Sequence, residues 1–177
     1  ILQWCFYYPG VLDLHDLTLS AAEAEGLQAS IEAYRAGDLL AALAEYPTAR
    51  TPTSDAERIY HAALLLSVGQ VEPTETELTA LPGTMQADPL VESLRTLIAA
   101  VKRSSKPSTI INPQLATELL AASYYEQSRA TGDESLKTAL DLARRATTVS
   151  PQFGFAWERV AELEFGFGHA AAASRAL

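Results

Sequence analysis

Cys5, His15 and His61 come nearest to nucleophilic chemistry, because a thiolate needs a base within hydrogen-bond reach and either imidazole could supply one. No catalytic signature surrounds Cys5. It stands in Trp4-Cys5-Phe6-Tyr7-Tyr8, and a thiol among rings is expected to be buried and inert. Asp13, His15 and Asp16 are close enough in sequence to ligate a metal, but the same trio suits a solvated turn, and no metal is assigned to it. Glu162 and Glu164 are two apart, so a helix points them to different sides and they do not share a proton. Glycine-rich phosphate loops, H-E-x-x-H and G-x-S-x-G are absent from the sequence. No catalytic, cofactor or metal site is expected. A small helical hydrolase using Cys5 or a carboxylate remains as the enzymatic alternative.

Charge narrows the partners. The 177 residues carry a net charge of −9. Residues 1–88 hold 13 Asp and Glu against 3 Arg, and residues 89–177 hold 9 against 10 Lys and Arg. Such a surface repels phosphate, so nucleic acid is an unsuitable ligand and a basic or apolar peptide a suitable one. Two basic spots, Lys102-Arg103 with Lys106 and Arg144-Arg145, are placed at a helix end and on a helix face. A 48% hydrophobic content supports a core without staples, and the one cysteine excludes an internal disulfide. No apolar run is long enough for a membrane span. A chain opening at Ile1 and closing at Leu177 inside an expected helix suggests a piece of a larger protein, and leaves the compartment unassigned.

The elements that must position these residues are helices. Apolar residues recur at three- and four-residue steps, as in Ala29, Ala33, Leu40 and Leu43 and in Ile59, Ala62, Ala63 and Leu66. Ser54-Asp55-Ala56-Glu57 reads as a capping box. Asp88-Pro89, Asn112-Pro113 and Ser150-Pro151 each place proline at a first helical position. These signals predict helices near 19–36, 38–46, 54–68, 74–81, 88–103, 113–129, 133–148, 152–167 and 169–177, with a polar loop near 104–112. Residues 1–18 form an extended aromatic segment laid across the first helices, and 19–177 form one helical-repeat domain.

Internal period sharpens this reading. Gly37, Gly69, Gly132 and Gly168 each precede a helix, at separations near one or two multiples of about 34 residues. Trp157, Val160 and Ala161 stand as W-x2-V-A, followed by Gly168, Ala173 and Leu177; Ala139, Ala143, Ala146 and Pro151 precede them. This pattern resembles the tetratricopeptide repeat (TPR). Ser30, Ala33, Tyr34, Gly37, Asp38 and Ala42 fit another unit without the tryptophan, and Ala62, Leu65, Leu66 and Gly69 a third in which Thr74 replaces the usual alanine. Tyr124 and Tyr125 fit the end of a first helix, but Ala139 then lies about six residues too far on. Glu164 replaces the usual tyrosine. The resemblance implies an all-α fold, with antiparallel helical hairpins stacked as a TPR-like right-handed solenoid of degenerate repeats. Trp157 would then be a buried wedge between hairpins, with Phe153 and Phe155 stapling the helix start. A second likeness, in Trp4 to Asp13 and in the ASYYEQS and SPQFGFAWERVAELEFGFG segments, is to bacterial envelope proteins in which a FecR-like domain leads into TPR units. It implies an absent upstream domain and an extracytoplasmic, periplasmic or envelope setting; otherwise the setting is cytoplasmic.

The family register implies a concave surface lined by first helices. Leu27, Ile31 and Tyr34 would face it from the first unit, Glu118 and Tyr125 from a later one, and Phe155, Glu158, Glu162 and Phe165 from the last. The expected function is a non-catalytic protein–protein interaction module, a scaffold or adaptor within a larger bacterial protein, that binds a protein or peptide. Self-association through an uncapped C-terminal helix is the alternative. A carboxylate-clamp type of TPR does not fit, since the only Asn is Asn112 and the groove positions are acidic or apolar. On this reading Trp157→Ala costs stability, while Glu162→Lys is an ordinary surface change.

Overall fold

Every regular element in the computed structural model is helical, across the residues it describes, 10–104 and 112–177. Ten α-helices and one 3-10 turn are present, and no strand occurs among the described residues. They are α1 (Ala21–Gly26), α2 (Gln28–Arg35), α3 (Leu39–Ala44), α4 (Asp55–Ser67), α5 (Val71–Thr79), α6 (Pro89–Lys102), α7 (Ala116–Ser128), α8 (Asp133–Val149), α9 (Gly154–Gly166) and α10 (Ala170–Ala176). The chain divides into two compact units, 1–91 and 92–177, with the boundary in the first turn of α6.

Capping sets the helix starts. Ser20 and Glu23 form a complete capping box at α1. At α4 only half of the expected box exists: the Ser54 hydroxyl accepts from the Glu57 amide, but the Glu57 carboxylate turns away to Thr53, Tyr46 and Arg50. Proline opens α6 as expected, and the Asp88 carboxylate accepts from the Leu90 amide at 2.9 Å. Pro113 and Pro151 instead lie before α7 and α9, whose first residues are Ala116 and Gly154. The expected start at 74 also moves: α5 begins at Val71 and takes Pro73 into its first turn, where no amide proton is needed.

In the first unit α2 packs on α3, α3 on α4 and α4 on α5. The expected helix 19–36 breaks at Leu27, which ends α1 and starts α2. A Cβ on Gly26 would meet the Arg50 guanidinium at 2.8 Å, so glycine leaves room for that side chain. The core contains Leu12, Leu27, Tyr34, Ile59, Tyr60, Leu64, Leu66 and Leu78. The inward face of α2 and α3 is Ser30, Ile31, Tyr34, Leu39 and Ala42 rather than Ala29, Ala33, Leu40 and Leu43; Leu40 is exposed. Ile59, Ala62, Ala63 and Leu66 are buried as their spacing implied.

In the second unit α7 packs on α8, α8 on α9, α9 on α10, and α7 also touches α9. Ala139, Leu140, Ala143, Val160 and Leu163 form one apolar cluster, with Phe167 and Ala176 against it. Ala99 and Ala100 of α6 form another with Tyr125.

Three helix pairs share one connection. Gly37, Gly69 and Gly168 have φ of 80°, 83° and 81°, between α2 and α3, α4 and α5, and α9 and α10. In each, the residue after the glycine donates its amide back to the preceding helix: Asp38 to Ala33, Gln70 to Leu65, His169 to Glu164. A small residue sits seven before each glycine and another five after it. These are Ser30 and Ala42, Ala62 and Thr74, and Ala161 and Ala173, all buried. The Ser30 hydroxyl donates to the Ala42 carbonyl at 2.6 Å, and the Thr74 hydroxyl lies 3.4 Å from that of Ala62. Thr74 thus takes the alanine position by turning its hydroxyl to the Gln70 carbonyl at 2.8 Å. Ser123 of α7 makes the same bond to Ala139 of α8 at 2.7 Å, across a longer span. The extra four residues are about one helical turn, which keeps the same face inward.

Alanine at Gly37 or Gly168 meets no neighbour within 4 Å. Its cost is therefore conformational, about 1 kcal/mol for a left-handed non-glycine residue. Gly132 is extended at φ −178°, so Gly132→Ala should not lose stability. Denaturant melts of the three variants check this contrast.

Candidate interaction surfaces

Among the described residues, three groups of charged side chains centre on Glu57 with Glu23, on Glu164 and on Arg159; Arg58 of α4 also pairs with Glu77 of α5 at 2.7 Å, and one stripe of α9 faces partly outward. The first group lies in the first unit. Glu57 is fully buried on α4, where Arg50 donates to it from Nε and, at 3.2 Å, from Nη2. It also accepts from the Tyr46 hydroxyl at 3.0 Å, the Thr53 amide at 2.9 Å and the Thr53 hydroxyl at 2.7 Å. Burial works to raise its pKa, but the Arg50, Thr53 and Tyr46 donors hold it down at about 2. Glu23 of α1 is held at about 2 by the hydroxyls of Ser54 and Ser20 and the Ser20 amide, against the opposing effect of burial. The Thr53 hydroxyl touches both carboxylates, and its single proton serves one at a time.

Both carboxyls are depressed below their ordinary value near 4.3. Their stabilisation is complete above that unfolded-state value and is lost as pH falls through about 2. The first unit should therefore lose stability progressively below about pH 4.5. Thermal melts between neutral pH and pH 2 check this. Replacing both residues by Gln should flatten the acid limb.

The second group joins α8, α9 and the start of α10. Glu164 is buried, accepts from Arg144, and pairs with His169 Nδ1 at 2.8 Å. The His169 hydrogen bond and the Arg144 guanidinium lower its pKa despite burial. Glu164 thus ties α8, α9 and the start of α10 together. Its side chain diverges from that of Glu162, as two-residue spacing implied.

The third group centres on Arg159, a fully buried charged side chain of α9. Its Nε donates to the Ser123 hydroxyl at 3.1 Å and its Nη2 to the Ser123 carbonyl at 3.2 Å. Its Nη1 donates to Glu162 at 2.7 Å, and its guanidinium lies 3.9 Å over the Tyr124 ring. Trp157 is not the wedge expected of it. It is 38% exposed, and its indole N–H donates to the Pro151 carbonyl at 2.8 Å, which holds the ring back over the helix start. Phe153, the N-cap of α9, is buried and meets Phe155 edge-on at 6.0 Å.

The expected concave residues separate into two sets. Leu27, Ile31 and Tyr34 are buried in the first unit. Tyr34 donates from its hydroxyl to the Leu12 carbonyl at 2.9 Å and meets Tyr60 edge-on. The chain's own residues Val11 and Leu12 are buried here, so part of the N-terminal segment does lie in the interior. Tyr125 is buried against Ala99 and Ala100 and accepts from Arg129 at 2.7 Å. Glu118 accepts from the Gln114 and Leu115 amides at 2.9 Å each, so its carboxylate caps α7. Phe155 and Glu162 are half-buried, whereas Glu158 is exposed and Phe165 is 58% exposed.

The other candidates have plain positions. Asp13 accepts from the His15 amide at 3.0 Å and contacts its ring Nδ1, while the Asp16 amide donates to the Asp13 carbonyl. This is a turn, and the described residues contain no cluster suited to a metal. His61 stacks on Tyr46 and pairs with Glu77 at 3.2 Å. Arg144 pairs with Glu164, and Arg145 donates to the Pro113 carbonyl. Trp4, Cys5, Phe6, Tyr7 and Tyr8 and Lys106 lie outside the described residues.

Sequence reasoning missed Arg159, Glu57 and Glu23 as interior charges. The Ser20-to-Glu23 and Ser54-to-Glu57 spacings signalled caps, but neither signalled burial, and nothing local marked Arg159. No helix among the described residues is long and apolar enough to cross a membrane. No family model, no curated protein and no solved structure matches the chain.

Proposed function

We propose that the chain is a non-catalytic protein-interaction module built as a TPR-like right-handed solenoid of degenerate helical hairpins. The observation that carries this reading is the recurrence of one unit: a left-handed glycine with a small buried residue seven before and five after it. Stacked units of this kind present a row of first helices as an extended binding surface. The assembled charges support a structural rather than a catalytic use: Glu164 with Arg144 joins α9 to α8, Glu57 with Arg50 ties the α3–α4 connection to α4, and Arg159 reaches from α9 to Ser123 of α7 while pairing with Glu162 on its own helix. The likeness of residues 4–13 to FecR-like envelope proteins adds that the module belongs to a larger bacterial protein outside the cytoplasm. The full-length gene product, with or without such a domain upstream, tests that part.

The binding reading is tested with an immobilised peptide library and the folded protein. Saturable binding to a subset of peptides, mapped by amide shift changes onto first-helix faces, is the expected result. A protein that binds no member of the library does not fit the proposal. Sedimentation at several concentrations tests the self-association alternative, which predicts a mass that rises with concentration.

A further inference from the structure

Three carboxylates project from the middle of α9, and two are committed. Glu164 is taken by Arg144 and His169, and Glu162 by Arg159. Glu158 is exposed and makes no ion pair or hydrogen bond among the described residues. Phe155 stands three residues before it, Glu162 four after, and Phe165 three beyond that. At 3.6 residues per turn these four share one face of the helix. Phe165 leaves 58% of its surface in water, and Phe155 is fixed by its edge contact with Phe153. A stripe of ring, carboxylate, carboxylate, ring in which Glu158 and Phe165 are exposed and Phe155 and Glu162 half-buried is unusual for a face that only meets solvent.

We propose that this face of α9 docks a peptide segment carrying a Lys or Arg between apolar residues, with the cation on Glu158 and its apolar neighbours against Phe155 and Phe165. The inference rests on the interaction-module reading and adds the partner's chemistry. Charge complementarity selects the occupant. Glu158 is exposed as a residue, but partial burial of its carboxyl and then the neighbouring Glu162 charge raise its pKa, and an incoming cation would offset both. Glu162 on the same face already pairs with a cation, the Arg159 guanidinium of α9 itself, which lies over the Tyr124 ring of α7. Rings beside a carboxylate hold a cation by face attraction together with ion pairing. An acidic peptide would meet Glu158 and Glu162 together and be repelled.

The experiment uses the whole chain and an array of peptides of about twelve residues. Each peptide has two apolar anchors separated by Lys or Arg, by Glu, or by uncharged residues. The expected result is preferential binding of the Lys and Arg set. Glu158→Lys should weaken it by about fifty-fold and Glu158→Gln and Phe165→Ala by about ten-fold each, with melting unchanged. Glu158 is exposed with no hydrogen bond or ion pair among the described residues, and Phe165 is exposed, so these variants should fold. Binding of the basic set that ignores Glu158→Lys overturns the proposal. So does preference for the Glu or uncharged set, although the interaction-module reading then survives. Failure of every peptide to bind overturns both.

Discussion

Arg159→Ala is expected to cost about 3–5 kcal/mol, more than any other single change in α9. The side chain is fully buried, so truncation leaves a cavity between α7 and α9. It also removes the donor that the Ser123 hydroxyl and carbonyl accept from and the partner of Glu162. Arg159→Lys restores the charge but not the fork that reaches Ser123 and Glu162 together, and should recover only part of the loss. Trp157→Ala should cost about 1 kcal/mol or less, since the ring is partly solvated and gives up one hydrogen bond to the Pro151 carbonyl. Glu162→Lys, an ordinary surface change by sequence, now places a second cation beside buried Arg159 and should destabilise by about 2 kcal/mol or more. Urea melts of the four variants rank them. Equal stability of the Arg159→Ala protein and the parent would falsify the packing described for α9.

Glu57→Ala is expected to have a comparable effect in the first unit, about 3–5 kcal/mol. Glu57 gathers Arg50, Tyr46 and Thr53, which belong to the chain between α3 and α4, onto the start of α4. Without the carboxylate, the Arg50 charge and the Tyr46 hydroxyl lose their shared partner. Glu57→Gln keeps the shape but offers one acceptor oxygen in place of two, and its amide group faces donors. It should therefore recover less than half of the loss. Amide exchange should localise the damage to the segment between α3 and α4 and the first turns of α4. Exchange that accelerates equally throughout the chain would mean that this network does not act locally.

Sequence alone determined that the chain is helical and where most helices begin and end; of the four glycines it marked as equivalent, Gly37, Gly69 and Gly168 share the left-handed connection and Gly132 is extended. Each of these depends on local rules. A 3.6-residue period, a capping hydroxyl and a left-handed glycine act within a turn or two of chain, so their signals lie in neighbouring residues. Phe155, Glu158, Glu162 and Phe165 were named by the resemblance, and on α9 Glu158 and Phe165 are exposed while Phe155 and Glu162 are half-buried. Only tertiary structure decided which large side chain enters the space between α7 and α9. Arg159 enters because Ser123, thirty-six residues away, brings a hydroxyl and a carbonyl to its guanidinium. Trp157, two residues earlier on the helix, finds its acceptor in the preceding turn and stays at the surface. Glu57 shows the same division. Its spacing from Ser54 signalled a cap, but Arg50, Tyr46 and Thr53 compete for the carboxylate and win it. A buried charge is decided by partners that distant parts of the chain deliver, because removing it from water costs more than any local preference supplies.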